Sequence, residues 1–118
     1  MNNFNELIIW QKSMDLVEQV YQLTSILPEE EKFGLKSQIQ RSAVSIPSNI
    51  AEGAGRNSDK EFKRFLEISN GSINELMTQL KISVRVGYIP ENDLKIVFAL
   101  LNEIQKMNYT LIKKFSNI

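Results

Sequence analysis

The chain has 118 residues, 42% of them hydrophobic, with three prolines and five glycines, the size and make-up of one globular domain over residues 1–118 and not of a disordered chain. It holds no Cys and no His, which removes disulfides, thiol nucleophiles, imidazole bases and every Cys/His zinc site. Fourteen Lys and Arg balance fourteen Asp and Glu, so net charge gives no whole-chain push toward a polyanion.

The first helix is expected near residues 5–27. Leu7, Trp10, Met14, Val17, Tyr21 and Thr24 alternate at spacings of three and four, which only a helix lines up on one face. Ile8, Leu16, Val20 and Leu23 widen the stripe, and Pro28 stops it. A second helix is expected near 30–54, opened by Pro28 and the acids Glu29, Glu30 and Glu31. Its face is Leu35, Ile39, Ala43, Ile46 and Ile50. Pro47 inside the pattern predicts a kink or loosening between Ala43 and Pro47.

The third helix, near 58–86, carries the clearest signals. Ser58 and Glu61 have the spacing of a capping box. Phe62, Leu66, Ser69, Ile73, Leu76, Leu80 and Ser83 then share a face. Gly87 suits the left-handed residue after a helix, and Tyr88 the apolar contact beyond it. Asn70-Gly71 resembles a hairpin turn, but the helical period runs through it. Pro90, Glu91 and Asp93 open a fourth helix near 91–116, with Leu94, Val97, Leu101, Ile104, Leu111 and Phe115 on its face. Four amphipathic helices with short breaks predict an all-α, antiparallel up-down-up-down four-helix bundle.

Few residues could carry chemistry. The turn from Gly53 to Ser58 is Gly-rich and precedes a helix, but it lacks the Lys-Ser/Thr and the strand of a phosphate-binding P-loop, so a tight turn is expected. Glu29, Glu30 and Glu31 are adjacent on a helix and do not converge on a metal. No metal, cofactor or catalytic set is expected, and the chain is read as not an enzyme. Asn70-Gly71-Ser72 and Asn108-Tyr109-Thr110 match a glycosylation pattern that carries no weight without a secretory signal. The N-terminal stretch has no signal-peptide pattern and no apolar run reaches the roughly 20 residues of a membrane span, so a cytoplasmic protein is expected.

Charge divides along the chain. Residues 1–55 hold four bases and seven acids; residues 56–118 hold ten bases and seven acids. Arg56, Lys60, Lys63 and Arg64 cluster at the start of the third helix and form the candidate nucleic-acid-binding strip, with Glu61 interleaved. A second candidate is a structural polar network. If helices two and three pair about a turn at 55–58, Arg41 lies opposite Ser72, one turn from Glu75, and Asn49 lies near Phe65. Small side chains on both helices would make room for an Arg41–Glu75 ion pair that fixes register.

The run from Arg41 to Gly53, RSAVSIPSNIAEG, resembles the central motif of the four-helix-bundle proteins encoded in intervening sequences of bacterial 23S rRNA genes. Trp10-Gln11-Lys12, Tyr21, Pro28, Phe33-Gly34-Leu35, Gln38, Arg56, Ser58, Glu61-Phe62, Phe65-Leu66, Gly71-Ser72, Glu75 and Gly87-Tyr88 match as well. Ser13 and Ser42 stand where the family more often has Ala. The resemblance implies an up-down bundle that assembles as a homopentamer, without enzymatic activity. The label S23 ribosomal protein reflects gene location. A related branch, the accessory protein of diversity-generating retroelements, binds a reverse transcriptase and nucleic acid through a basic pentamer. The expected function is therefore a homo-oligomeric module that binds RNA or a nucleoprotein partner, and no membrane. The alternative is a protein-interaction scaffold. Ile8, Ile9, Phe98, Leu100 and Ile112 lie off the main seams and supply surplus apolar surface for self-association.

Overall fold

The computed structural model describes residues 3–116, so the outermost residues of the expected domain, 1–2 and 117–118, lie outside the described residues. Four α-helices carry the chain: α1 (Ile8–Thr24), α2 (Leu35–Ala54), α3 (Asp59–Arg85) and α4 (Lys95–Ser116). Short 3-10 turns at Phe4–Glu6, Glu29–Glu31 and Glu91–Leu94 precede α1, α2 and α4. There is no strand among the described residues. The three turns shorten the expected helices at their starts. The prolines hold φ near −65° with extended ψ at Pro28 and Pro90, so the chain turns once before each α-helix begins.

Pairs of touching residues run in opposite directions along neighbouring helices. Ser42 meets Gln79 and Ile46 meets Ser69 across α2 and α3. Leu66 meets Asn108 and Asn74 meets Gln105 across α3 and α4. Lys12 pairs with Glu103 across α1 and α4, and Thr24 with Gln40 across α1 and α2. The result is a four-helix bundle measuring 46 × 23 × 20 Å. The 27 residues of α3 rise about 40 Å at ~1.5 Å each, nearly the full length.

The core follows the expected faces of α2, α3 and α4. Ile39, Ala43, Ile46 and Ile50 from α2, Leu66, Ile73, Leu76 and Leu80 from α3, and Leu101 and Ile104 from α4 have no exposed surface. The face of α1 is turned by one residue. Ile9, Ser13, Leu16, Val20 and Thr24 are buried, while Met14 and Tyr21 from the expected seam are exposed. Ser13 hid this face because it reads as polar. Its hydroxyl donates to the Ile9 carbonyl one turn back at 2.7 Å, so it packs as a small, satisfied side chain. Ile9 is therefore core, and of the surplus apolar set only Ile8 is exposed; Phe98, Leu100 and Ile112 pack half-buried against the core.

The helix α2 runs unbroken through Pro47, where loosening was expected. Proline removes the amide that would bond the Ala43 carbonyl. Neighbouring side chains brace the same turn: Ser45, Ser48 and Asn49 donate to the carbonyls of Ser42, Val44 and Ser45 at 2.8 Å. From α3, the buried Ser69 hydroxyl donates to the Ile46 carbonyl at 3.1 Å. Near the end of α2, Gly53 lets the two helices touch. A Cβ there would stand 2.7 Å from the Phe65 Cβ and 3.0 Å from a Phe62 ring carbon.

Candidate nucleic-acid interface

Turn chemistry sets the basic end of α3. Gly55 closes α2, and Ser58 in an extended conformation accepts the Glu61 amide on its hydroxyl at 3.1 Å. Only this half of the expected capping box forms. The Glu61 carboxylate turns away to accept from Arg64 Nε at 3.2 Å. A shallow pocket of about 180 Å³ opens at the turn, lined in part by Gly53, Arg56, Asn57 and Ser58.

Arg56 and Arg64 converge on one ring. Their guanidinium carbons stand 4.9 Å and 4.6 Å from the centroid of Phe65, which is itself almost fully buried. Cations favour the negative face of an aromatic ring, so both side chains are held with part of each guanidinium free. Each also has a carboxylate neighbour: Glu52 at 3.9 Å from Arg56, and Glu61 beside Arg64. Lys60 is exposed and Lys63 half-buried, and neither makes an ion pair among the described residues. The four candidate cations thus gather at one end of the bundle, over the α2–α3 turn. Phe65, the ring that organises the two arginines, was read from sequence as part of a matched motif and as a neighbour of Asn49, with no link to Arg56 or Arg64.

The candidate polar network takes a different form. Arg41 and Glu75 are both exposed and make no ion pair with one another. Arg41 sits two residues from both Ile39 and Ala43, about 200° around the helix from each, which puts it on the outer face. Glu75 stands in the same relation to the buried Ile73. Asn49 and Ser72 are half-buried and bond their own helices, to the carbonyls of Ser45 and Ile68. The cross-helix polar contact is instead Ser42 to Gln79, where the buried hydroxyl donates to Oε1 at 2.8 Å. Asn108 is the other residue missed, buried in α4 with Nδ2 donating to the Leu66 carbonyl at 2.9 Å.

Glu31 is more than a solvated acid. One carboxylate oxygen accepts the Leu35 amide at 2.9 Å and caps α2; the other accepts the Tyr88 hydroxyl at 2.9 Å. The amide bond, and then the phenol, hold the Glu31 carboxyl below the usual carboxylate range. The same carboxylate pushes the Tyr88 hydroxyl upward.

The sequence pattern of the 23S rRNA-intervening sequence proteins matches residues 5–110. The chain belongs to that family. A solved structure of similar fold is a protein of unknown function from the S23 ribosomal protein family of Bacteroides thetaiotaomicron VPI-5482. It aligns at a TM-score of 0.82 and 28% identity, over 90% of this chain and 99% of that one. No curated protein matches the chain. Neither the family description nor the solved relative names a catalytic activity. No helix among the described residues is long and apolar enough to cross a membrane.

Proposed function

We propose that this family member is a non-enzymatic, cytoplasmic, homo-oligomeric bundle that binds RNA or a nucleoprotein partner through the basic end of α3. The observation that carries the reading is the gathering of Arg56, Lys60, Lys63 and Arg64 over the α2–α3 turn, with two of the four unpaired. Lys60 and Arg64 lie one turn apart at i,i+4, with Lys63 beside them. Such a strip suits phosphate, and the guanidinium groups held on Phe65 are pre-positioned.

Self-association is the second part. Exposed apolar side chains, among them Ile8, Met14, Tyr21 and Phe33, exceed what a lone bundle can cover. The pentamer as the form of assembly rests on the family resemblance. A ring repeats the strip around its rim, so weak phosphate contacts sum to useful avidity.

The test is retention of structured RNA and single-stranded DNA at two salt concentrations. Binding should fall steeply with salt. The triple reversal of Lys60, Lys63 and Arg64 to Glu should abolish it and leave the helical circular dichroism unchanged. If the wild-type protein retains neither RNA nor DNA in a salt-sensitive way, the protein-interaction scaffold takes its place.

A further inference from the structure

Phe33 is 90% exposed, the most exposed large apolar side chain among the described residues. It projects from the turn between α1 and α2, at the end of the run Glu29-Glu30-Glu31-Lys32-Phe33. Lys32 is the one cation in that run, with its ammonium 5.4 Å from the Phe33 ring centroid. A bare aromatic ring on an acidic turn has a counterpart elsewhere on the chain. Between the end of α3 and the start of α4 lies a groove of about 820 Å³. Val84, Leu94 and Phe98 give it an apolar floor, and Lys81, Arg85 and Lys95 surround it, against the one carboxylate of Glu91. None of these three cations makes an ion pair among the described residues.

We propose that the acidic turn of one copy docks in this groove of a second copy, with Phe33 on the apolar floor and Glu29 and Glu30 against Lys81, Arg85 and Lys95. The proposal rests on the self-association reading and names its contact. Charge and shape agree: two carboxylates and a ring meet three cations and an apolar trough. Height agrees as well. The Tyr88–Glu31 hydrogen bond ties the acidic turn to the α3–α4 connection, so knob and groove lie at the same end of the bundle. They are on different sides, since the knob precedes α2 and the groove lies between α3 and α4. In a ring whose axis runs along the bundles, neighbours present the same height to each other. A knob and a groove on different sides then give a head-to-tail contact, which makes a ring where the rotation between neighbours divides a full turn. A phenyl ring buries roughly 150–250 Å² when it docks, which makes Phe33 the anchor of the contact.

The experiment measures self-association by light scattering for the wild type and four variants, each checked for helical content. Phe33→Ala should weaken association at least tenfold. Reversing only the knob (Glu29→Lys with Glu30→Lys), or only the groove (Lys81→Glu with Lys95→Glu), should dissociate the assembly. Combining all four reversals in one chain should restore it, a result that structural damage would not give. Glu31 is left intact because it caps α2. If the wild type associates and Phe33→Ala and both one-sided reversals associate equally well, this contact is wrong and self-association stands on another face. If the one-sided reversals dissociate it and the fourfold variant stays apart, the pairing is also wrong. A monomeric wild type at micromolar concentration refutes the self-association reading itself, and this contact with it.

Discussion

Gln79 and Arg41 show how little a charge says about its contribution to stability. Gln79 is 8% exposed and receives the buried Ser42 hydroxyl, whereas Arg41 stands in solvent. Gln79→Ala should cost about 1–3 kcal/mol, because it opens a gap and removes a cross-helix acceptor. Arg41→Ala should change stability by no more than about 0.5 kcal/mol, as an exposed substitution away from any partner. Urea denaturation of both variants checks the order, and an equal loss from the two would refute it. Two glycines of the same turn make a second contrast. At Gly53 a methyl group meets the Phe65 Cβ, which cannot move without its helix. Gly53→Ala should therefore destabilise by about 1–3 kcal/mol through overpacking. At Gly55 the nearest atoms are 3.6 Å away and φ is −83°, so Gly55→Ala should be close to neutral. Thermal melts of the two variants decide the matter.

At the scale of the element, helix ends are joined by side chains from the connections between helices. Gly87, at φ +85°, ends α3 in a Schellman turn: the Tyr88 amide reaches the Ser83 carbonyl at 2.9 Å, and the Gly87 amide reaches Val84 at 3.0 Å. This turn aims the Tyr88 hydroxyl at Glu31, so the end of α3 and the start of α2 share one carboxylate. The sign of the pH dependence follows from the two shifts. The Glu31 carboxyl is lowered in the folded chain, so its contribution is present above the ordinary carboxylate range and is lost as pH falls through the lowered value. The Tyr88 hydroxyl is raised, so its contribution is present below the ordinary phenol range and is lost as pH rises through the raised value. Glu31→Ala should destabilise at neutral pH, and its difference from wild type should shrink in acid. Tyr88→Phe should destabilise less, because the α2 cap survives. Denaturant midpoints from acid to neutral pH test this; a pH-independent difference for Glu31→Ala would count against the link.

At the scale of the whole molecule, the bundle leaves two faces without an internal partner. Along α1, Met14 and Tyr21 stand 43% and 47% exposed beside the half-buried Trp10 and Val17. At one end, Phe33 and the α3–α4 groove point outward. Assembly that covers such surface stabilises the folded chain by mass action. The melting temperature should therefore rise with protein concentration across the micromolar range. A concentration-independent melt, together with a monomeric mass, would leave these faces to a different protein. The basic end of α3 should be indifferent to this dependence, since it lies over the α2–α3 turn, at the other end of the bundle from Phe33 and the α3–α4 groove. The triple reversal of Lys60, Lys63 and Arg64 to Glu should leave the concentration dependence intact.

Local chemistry was enough to find the four helices, because their signals act within a turn or two of the chain. Pro28 and Pro90 fix φ wherever they stand, Ser58 caps a helix from its own sequence neighbourhood, and Gly87 is free to take positive φ. The faces of α2, α3 and α4 were legible because each carries one dominant apolar stripe. On α1 two stripes lie one residue apart, and burial chose between them only when α2 and α4 packed against it. The basic cluster at Arg56, Lys60, Lys63 and Arg64 could be read from spacing, but its focus on Phe65 could not, since Phe65 belongs to the α2–α3 contact. Register decided the rest. Which residue of α3 faces Ser42 depends on how closely Gly53 and Ser69 let the helices approach. That approach placed Gln79 at the polar contact, while Arg41 and Glu75 lie in water because each stands about 200° around its helix from a buried residue. The Glu31–Tyr88 link spans 57 residues of sequence, and only the closed bundle brings its ends together.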